Sequence, residues 1–111
     1  MKYLCLVYMD ETTAGAVRDS ECKAFSDSLQ IGGRRLAAEA LHPIHTATTV
    51  RVRNGKVSTT DGPFAETKEQ LAGFYLIDAH DLDEALQIAA KIPPARVGSI
   101  EVRPVRELVV A

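Results

Sequence analysis

Apolar residues rich in aromatic and branched types run almost unbroken from Lys2 to Met9, which predicts a strand covered on both faces and central in its sheet. Asp10 to Asp19 is polar, contains Gly15 and reads as a loop. From Ser20, a suitable N-cap, the residues Cys22, Phe25 and Leu29 recur at helical spacing until Gly32-Gly33 stops the helix. Arg35 to Leu41 reads as a strand from its flanking glycines and Pro43, although its alanines suit a helix equally well. Thr46 to Arg53 alternates well, with Thr48, Val50 and Val52 on one face and Thr49, Arg51 and Arg53 on the other, and Asn54-Gly55 marks a type I′ turn returning into Lys56 to Thr60. Gly73 to Asp78 repeats the buried-strand pattern. Asp81 with Glu84 forms a capping box for a helix whose apolar face is Leu82, Ala85, Leu86, Ala89 and Ile92, and Pro93-Pro94 ends it. Ser99 to Val105 is the last strand.

Strand, helix, strands, helix, strand is the order of an α+β, ferredoxin-like split βαβ fold, with an antiparallel sheet and both helices on one face. Val50, Val52, Ile100 and Val102 are expected to point toward the helices. Arg51, Arg53, Glu101 and Arg103 would then face the other way, on a side that needs cover from a second sheet, hence a homodimer.

A chain of 111 residues fits one domain, residues 1–111, burying roughly two thirds of its unfolded surface. Thirteen basic against 15 acidic residues give a net charge of -2, which removes the electrostatic case for nucleic acid. Trp is absent, and the few Phe and Tyr are too scattered for a base-stacking platform. No apolar run approaches the roughly 18 residues that span a bilayer, and no basic leader precedes the first strand, so the expected setting is cytoplasmic and away from membranes. Cys5 and Cys22 have neither metal-ligand spacing nor scaffold density and read as thiols; Cys22, in the first turn of the helix, reads as a small core hydrophobe facing inward with Phe25, the alternative being a thiolate favoured by the helix N-terminus.

The densest chemistry lies in Asp61-Gly62-Pro63-Phe64-Ala65-Glu66-Thr67-Lys68-Glu69, where a constrained turn holds three carboxylates and one ammonium. Asp61 and Glu66 are the candidate base and acid for proton transfer, with Lys68 steadying an enolate-like intermediate. Their structural alternative is that Asp61 closes the turn and that Glu66 and Glu69 cap a short helical turn. Arg51 and Arg103, facing a cleft between sheets, are candidates to hold a small anionic or aromatic ligand with Phe64, which serves equally as a core plug; an Arg-Glu network pairing only its own charges is the alternative. His42 and His45 flank Pro43, which breaks the helical face a zinc pair would use, and no third ligand is near, so no metal is expected. No nucleophile elbow, P-loop or dinucleotide fingerprint occurs, and no cofactor is expected.

The Asp61 to Phe64 turn, read with Gly73-Phe74, Met1 to Tyr8, Thr46 to Arg53 and Glu101-Val102-Arg103-Pro104-Val105, resembles the DGPF branch of the YCII-related domain family. The resemblance runs nearly end to end and implies a ferredoxin-like domain that pairs into a dimeric α/β barrel. Other branches carry a His in the first helix and an Asp after the second as a proposed dyad, one of them acting as a dehydrochlorinase on aromatic substrates. Here those positions fall near Cys22 and Ile92, so the dyad does not carry over. The resemblance leaves two functional readings. One is a cofactor-free enzyme for proton transfer or elimination on a small organic acid or phenol. The other is a non-catalytic ligand-sensing or interaction module, since members of the branch are often encoded beside extracytoplasmic-function sigma factors.

Overall fold

β1 (Lys2–Met9) lies between β5 (Gln70–Asp78) and β6 (Ser99–Pro104), antiparallel to both, in a computed structural model that describes residues 1–110. β2 (Arg35–Ala40) pairs antiparallel with β5, so the four-stranded sheet runs β2-β5-β1-β6. With α1 (Asp19–Ile31) after β1 and α2 (Leu82–Ala89) after β5, this is consistent with the ferredoxin-like arrangement that the pattern predicts.

Alternation along the strands decides which face is buried. Tyr3, Cys5, Val7 and Met9 of β1 and Tyr75 and Ile77 of β5 form the core with Leu29 of α1, Ala85 and Ala89 of α2, and Ile92. Ile100 and Val102 of β6 pack against it, as their spacing predicts. The intervening residues Leu4, Leu6, Tyr8, Phe74 and Leu76 point to the opposite face and are only half-buried. β1 is therefore central, but one of its faces lacks cover within the chain.

α1 begins earlier than Ser20 predicts. Its N-cap is Arg18, which supplies no capping side chain, and Asp19 and Glu21 provide negative charge in the first turn. At the other end Gly33, with φ 74°, turns the chain out as expected. The α2 capping box forms, with Asp81 Oδ1 accepting from Glu84 N at 2.9 Å and Glu84 Oε1 accepting from His80 N at 3.2 Å. Only part of its predicted apolar face is buried: Ala85, Ala89 and Ile92 are inside, whereas Leu82 and Leu86 remain about half exposed. The buried stripe of α2 is thus carried by its alanines, with the leucines on its flanks.

The hairpin forms as predicted but in a different place. β3 (Thr48–Arg53) and β4 (Lys56–Asp61) pair with each other as a separate two-stranded sheet, turning at Asn54 (φ 52°) and Gly55 (φ 74°). Val50 and Val52 therefore do not reach the core: they are 60% and 56% exposed, and Val57 is 69% exposed. Their alternation is genuine, but the hairpin has no helix beneath it. The molecule is a slab of 46 × 46 × 19 Å with a radius of gyration of 15.8 Å, against about 13 Å for a compact chain of this length.

Candidate functional site

α1, the loop before it and the β2–β5 margin of the sheet enclose a cleft of about 440 Å³ on the helix side. Val7, Met9, Ala38 and Tyr75 contribute from the strands, and Asp19, Cys22, Lys23 and Ser26 contribute from α1. Those four helix positions are separated by three, one and three residues, which places them on one stripe of the helix surface. Gly73 sets the depth of this margin. A Cβ there would lie 2.7 Å from the carbonyl oxygen of Glu39 and 3.3 Å from the Cα of Ala40, so only glycine lets β5 and β2 pair at this point.

Tyr75 is the most constrained polar group of the cleft. Its ring meets Phe25 edge-on, with centroids 5.6 Å apart and planes at 80°, so α1 fixes its direction. The residue is only 8% exposed, yet among the described residues its hydroxyl has no hydrogen-bond partner in the chain. Burial pushes the Tyr75 hydroxyl pKa above its ordinary value; the neighbouring Cys22 adds to the rise and Arg35 opposes it. The Cys22 thiol is likewise raised, first by burial and then by the carboxylates of Asp19 and Glu21, so the helix N-terminus does not make it a thiolate. Both groups are protonated at neutral pH and present hydrogen-bond donors. Arg35 donates to Ser26 Oγ at 2.6 Å and also to the Gln30 side chain, tying α1 to β2 along the wall. Lys23 Nζ lies 3.1 Å from Asp27 at the rim.

The residues singled out by the sequence fall elsewhere. Asp61 ends β4 opposite Thr48, and among the described residues its carboxylate accepts no hydrogen bond. The turn is closed instead by Gly62 N donating to Ala47 O at 2.7 Å and by Thr49 Oγ1 donating to Gly62 O at 2.9 Å, with Gly62 at φ 106°. Glu66 is exposed in an irregular segment. Glu69 does not cap a helical turn, because none forms there; it accepts from Ser99 Oγ at 2.6 Å and ties the segment to β6. Phe64 is not a core plug: it is 79% exposed, with the Arg51 guanidinium 5.8 Å from its ring centroid. Arg51 and Phe64 are thus brought together, whereas Arg103 sits on β6 in the other sheet, paired with Glu101. The sequence did hold a signal for the cleft, in the spacing of Asp19, Cys22, Lys23 and Ser26 and in a tyrosine on the buried face of an apolar strand.

Comparison with known proteins places the whole chain. The profile of the YCII-related domain matches residues 1–109. Uncharacterized protein R00369 of Rhizobium meliloti (strain 1021) is 40% identical over 113 residues, covering 94% of this chain and 91% of the relative.

Proposed function

Because the chain belongs to the YCII-related domain family, and because it holds a defined cleft, we propose that it is a homodimeric binding protein for a small, largely apolar molecule carrying a hydrogen-bond acceptor. The observation that carries this reading is Tyr75, whose ring is buried and held by Phe25 while its hydroxyl faces the cleft without a partner in the chain. The hydroxyl opens to the cleft rather than being sealed away from water, so a ligand carbonyl or ether oxygen there accepts its hydrogen bond in place of water, worth about 0.5–1.5 kcal/mol net. Cys22 beside it offers a second neutral donor, and the aliphatic strand residues supply the apolar bed.

Protonated Tyr75 and Cys22 favour holding a molecule over abstracting a proton from it. This supports a ligand-sensing role, and the Asp61-Gly62-Pro63-Phe64 turn supports placing the chain in the DGPF branch. The dimer reading rests on the half-buried face of Leu4, Leu6, Tyr8, Phe74 and Leu76, since a sheet with one apolar face uncovered is stabilised by a second layer. The test is ligand-observed NMR with acetophenone, a neutral aromatic ketone, on wild type and Tyr75→Phe. Wild type is expected to bind, and loss of one neutral hydrogen bond weakens binding by roughly 2- to 10-fold. Equal binding by the two proteins removes Tyr75 from the site, and absence of binding by wild type removes neutral ketones as the ligand class.

A further inference from the structure

The cleft does not end at Tyr75. A second lobe of about 210 Å³ continues it between the loop after β1 and the loop after β2, and the two lobes share Met9, Ala14, Leu41 and Ala72 as walls. The one polar side chain of this lobe that is buried is Gln70, 7% exposed. A β-bulge turns it inward. Val7 pairs with Gly73 and Tyr8 with Leu71, so Ala72 is an extra residue in β5. Unbroken alternation from Tyr75 and Gly73 would put Leu71 on the helix side and Gln70 on the open face. The extra residue reverses that order: Leu71 turns outward, and Gln70 joins its partner Met9 on the helix side. Leu41 N donates to Ala72 O at 2.9 Å and holds the bulge against the end of β2.

The Gln70 amide is only half engaged. Its Nε2 donates to Thr67 O at 2.6 Å, which fixes the orientation of the group and leaves Oε1 as a free acceptor. Among the described residues no donor reaches Oε1, and the atom is open to the lobe rather than sealed away. From this we infer that Gln70 selects a ligand with a neutral hydroxyl or N–H donor at the end remote from Tyr75. The inference rests on the binding reading above and narrows it to a two-ended molecule, with an acceptor against Tyr75, an apolar body, and a donor against Gln70. Tyr75 and Gln70 stand opposite Cys5 and Met9, four residues apart on β1, which is about 13 Å of strand, so a molecule meeting both is elongated. Glu11 at the rim accepts from Ile44 N at 2.9 Å, and its negative charge disfavours a carboxylate at this end. His42 at the same rim is exposed and serves as donor or acceptor, so the buried Gln70 sets the preference.

Ligand-observed NMR titrations of the full chain with three probes separate the two ideas: acetophenone, para-(hydroxypropyl)acetophenone and the methyl ether of the latter, which keeps the length but cannot donate. Wild type is expected to bind the hydroxyl probe roughly 2- to 10-fold more tightly than its ether. Gln70→Met, similar in length and without the amide, is expected to abolish that preference while binding acetophenone as wild type does. Tyr75→Phe is expected to weaken all three probes and keep the preference. Because Gln70→Met also removes the bond to Thr67, the wild-type comparison of the two long probes stands as a test that needs no variant. Equal binding of hydroxyl and ether probes by wild type, or a preference that persists in Gln70→Met, overturns the role of Gln70 and leaves the Tyr75 reading standing. If wild type binds none of the three probes, both fall.

Discussion

Gly98 sits at the entry to β6, where the chain crosses the end of β1, and replacing it with alanine tests how tightly that crossing is packed. A Cβ at this position would lie 2.1 Å from the carbonyl oxygen of Tyr8, 3.2 Å from its carbonyl carbon and 3.3 Å from the Cα of Met9. A tolerable carbon-to-oxygen approach is about 3.3 Å, so relief requires a backbone displacement of roughly 1 Å. Neither side yields easily, because Gly98 N donates to Pro94 O at 2.8 Å and Tyr8 is paired with Ser99. Overpacking of this kind costs about 1–3 kcal/mol or more, offset by about 0.4–1 kcal/mol from the stiffer unfolded chain. The net expectation is a loss of about 2 kcal/mol, a large share of the roughly 5–15 kcal/mol typical of a domain, with a Tm lower by roughly 8 °C. Urea denaturation measures it, and Gly15→Ala is the control, since a Cβ at Gly15 meets nothing within 4 Å. A Gly98→Ala variant within about 0.5 kcal/mol of wild type would refute the reasoning.

The two thiols are expected to differ from free cysteine and from each other. Burial pushes the Cys5 thiol up to about 11 and raises Cys22 as well, so Ellman's reagent at pH 8 should leave Cys5 unreacted in the native protein and modify Cys22 more slowly than free cysteine, with both reacting quickly in urea. Two fast native thiols would contradict the packing described. Glu21 accepts from Arg96 at 2.8 Å, and that hydrogen bond holds its carboxyl below the usual carboxylate range. A depressed folded-state pKa stabilises above the unfolded value, about 4.3, and the contribution is lost as pH falls through the folded value. The stability advantage of wild type over Glu21→Gln, followed by urea titration from pH 7 to pH 3, is therefore expected to shrink in acid; an advantage independent of pH would assign it to packing.

Most of the fold was legible because its signals are local. The unbroken apolar run of β1, the Asp81 to Glu84 box and the Asn54-Gly55 turn each depend on a few neighbouring residues, and each forms where the pattern places it. The errors concern what lies across from an element. Val50 and Val52 have the alternation of core residues, but periodicity tells which side chains share a face, not what covers that face. Phe64 has the same history: an aromatic beside a rigid turn predicts an anchor, and the turn faces a guanidinium and solvent. The candidate cleft was less legible, because charge density draws attention to Asp61 and Glu66 instead. A cleft built from Tyr75, Cys22 and small strand residues has little charge, and it exists only once α1 is laid across the β2–β5 margin.

The position of the hairpin within the chain also bears on the order in which the sheet assembles. β2 and β5 are adjacent in space, yet their paired residues are separated by roughly thirty residues of chain, a loop whose closure is entropically unfavourable. The hairpin occupies the middle of that loop and zips from its own turn, a step of about 1–10 μs that needs no distant contact. Once Thr48 and Asp61 meet, the loop is shortened by about a third, and by the logarithmic law its closure becomes easier by about 0.4 kcal/mol. The same segment that leaves the finished sheet therefore acts as a staple for it while the chain is still finding its register.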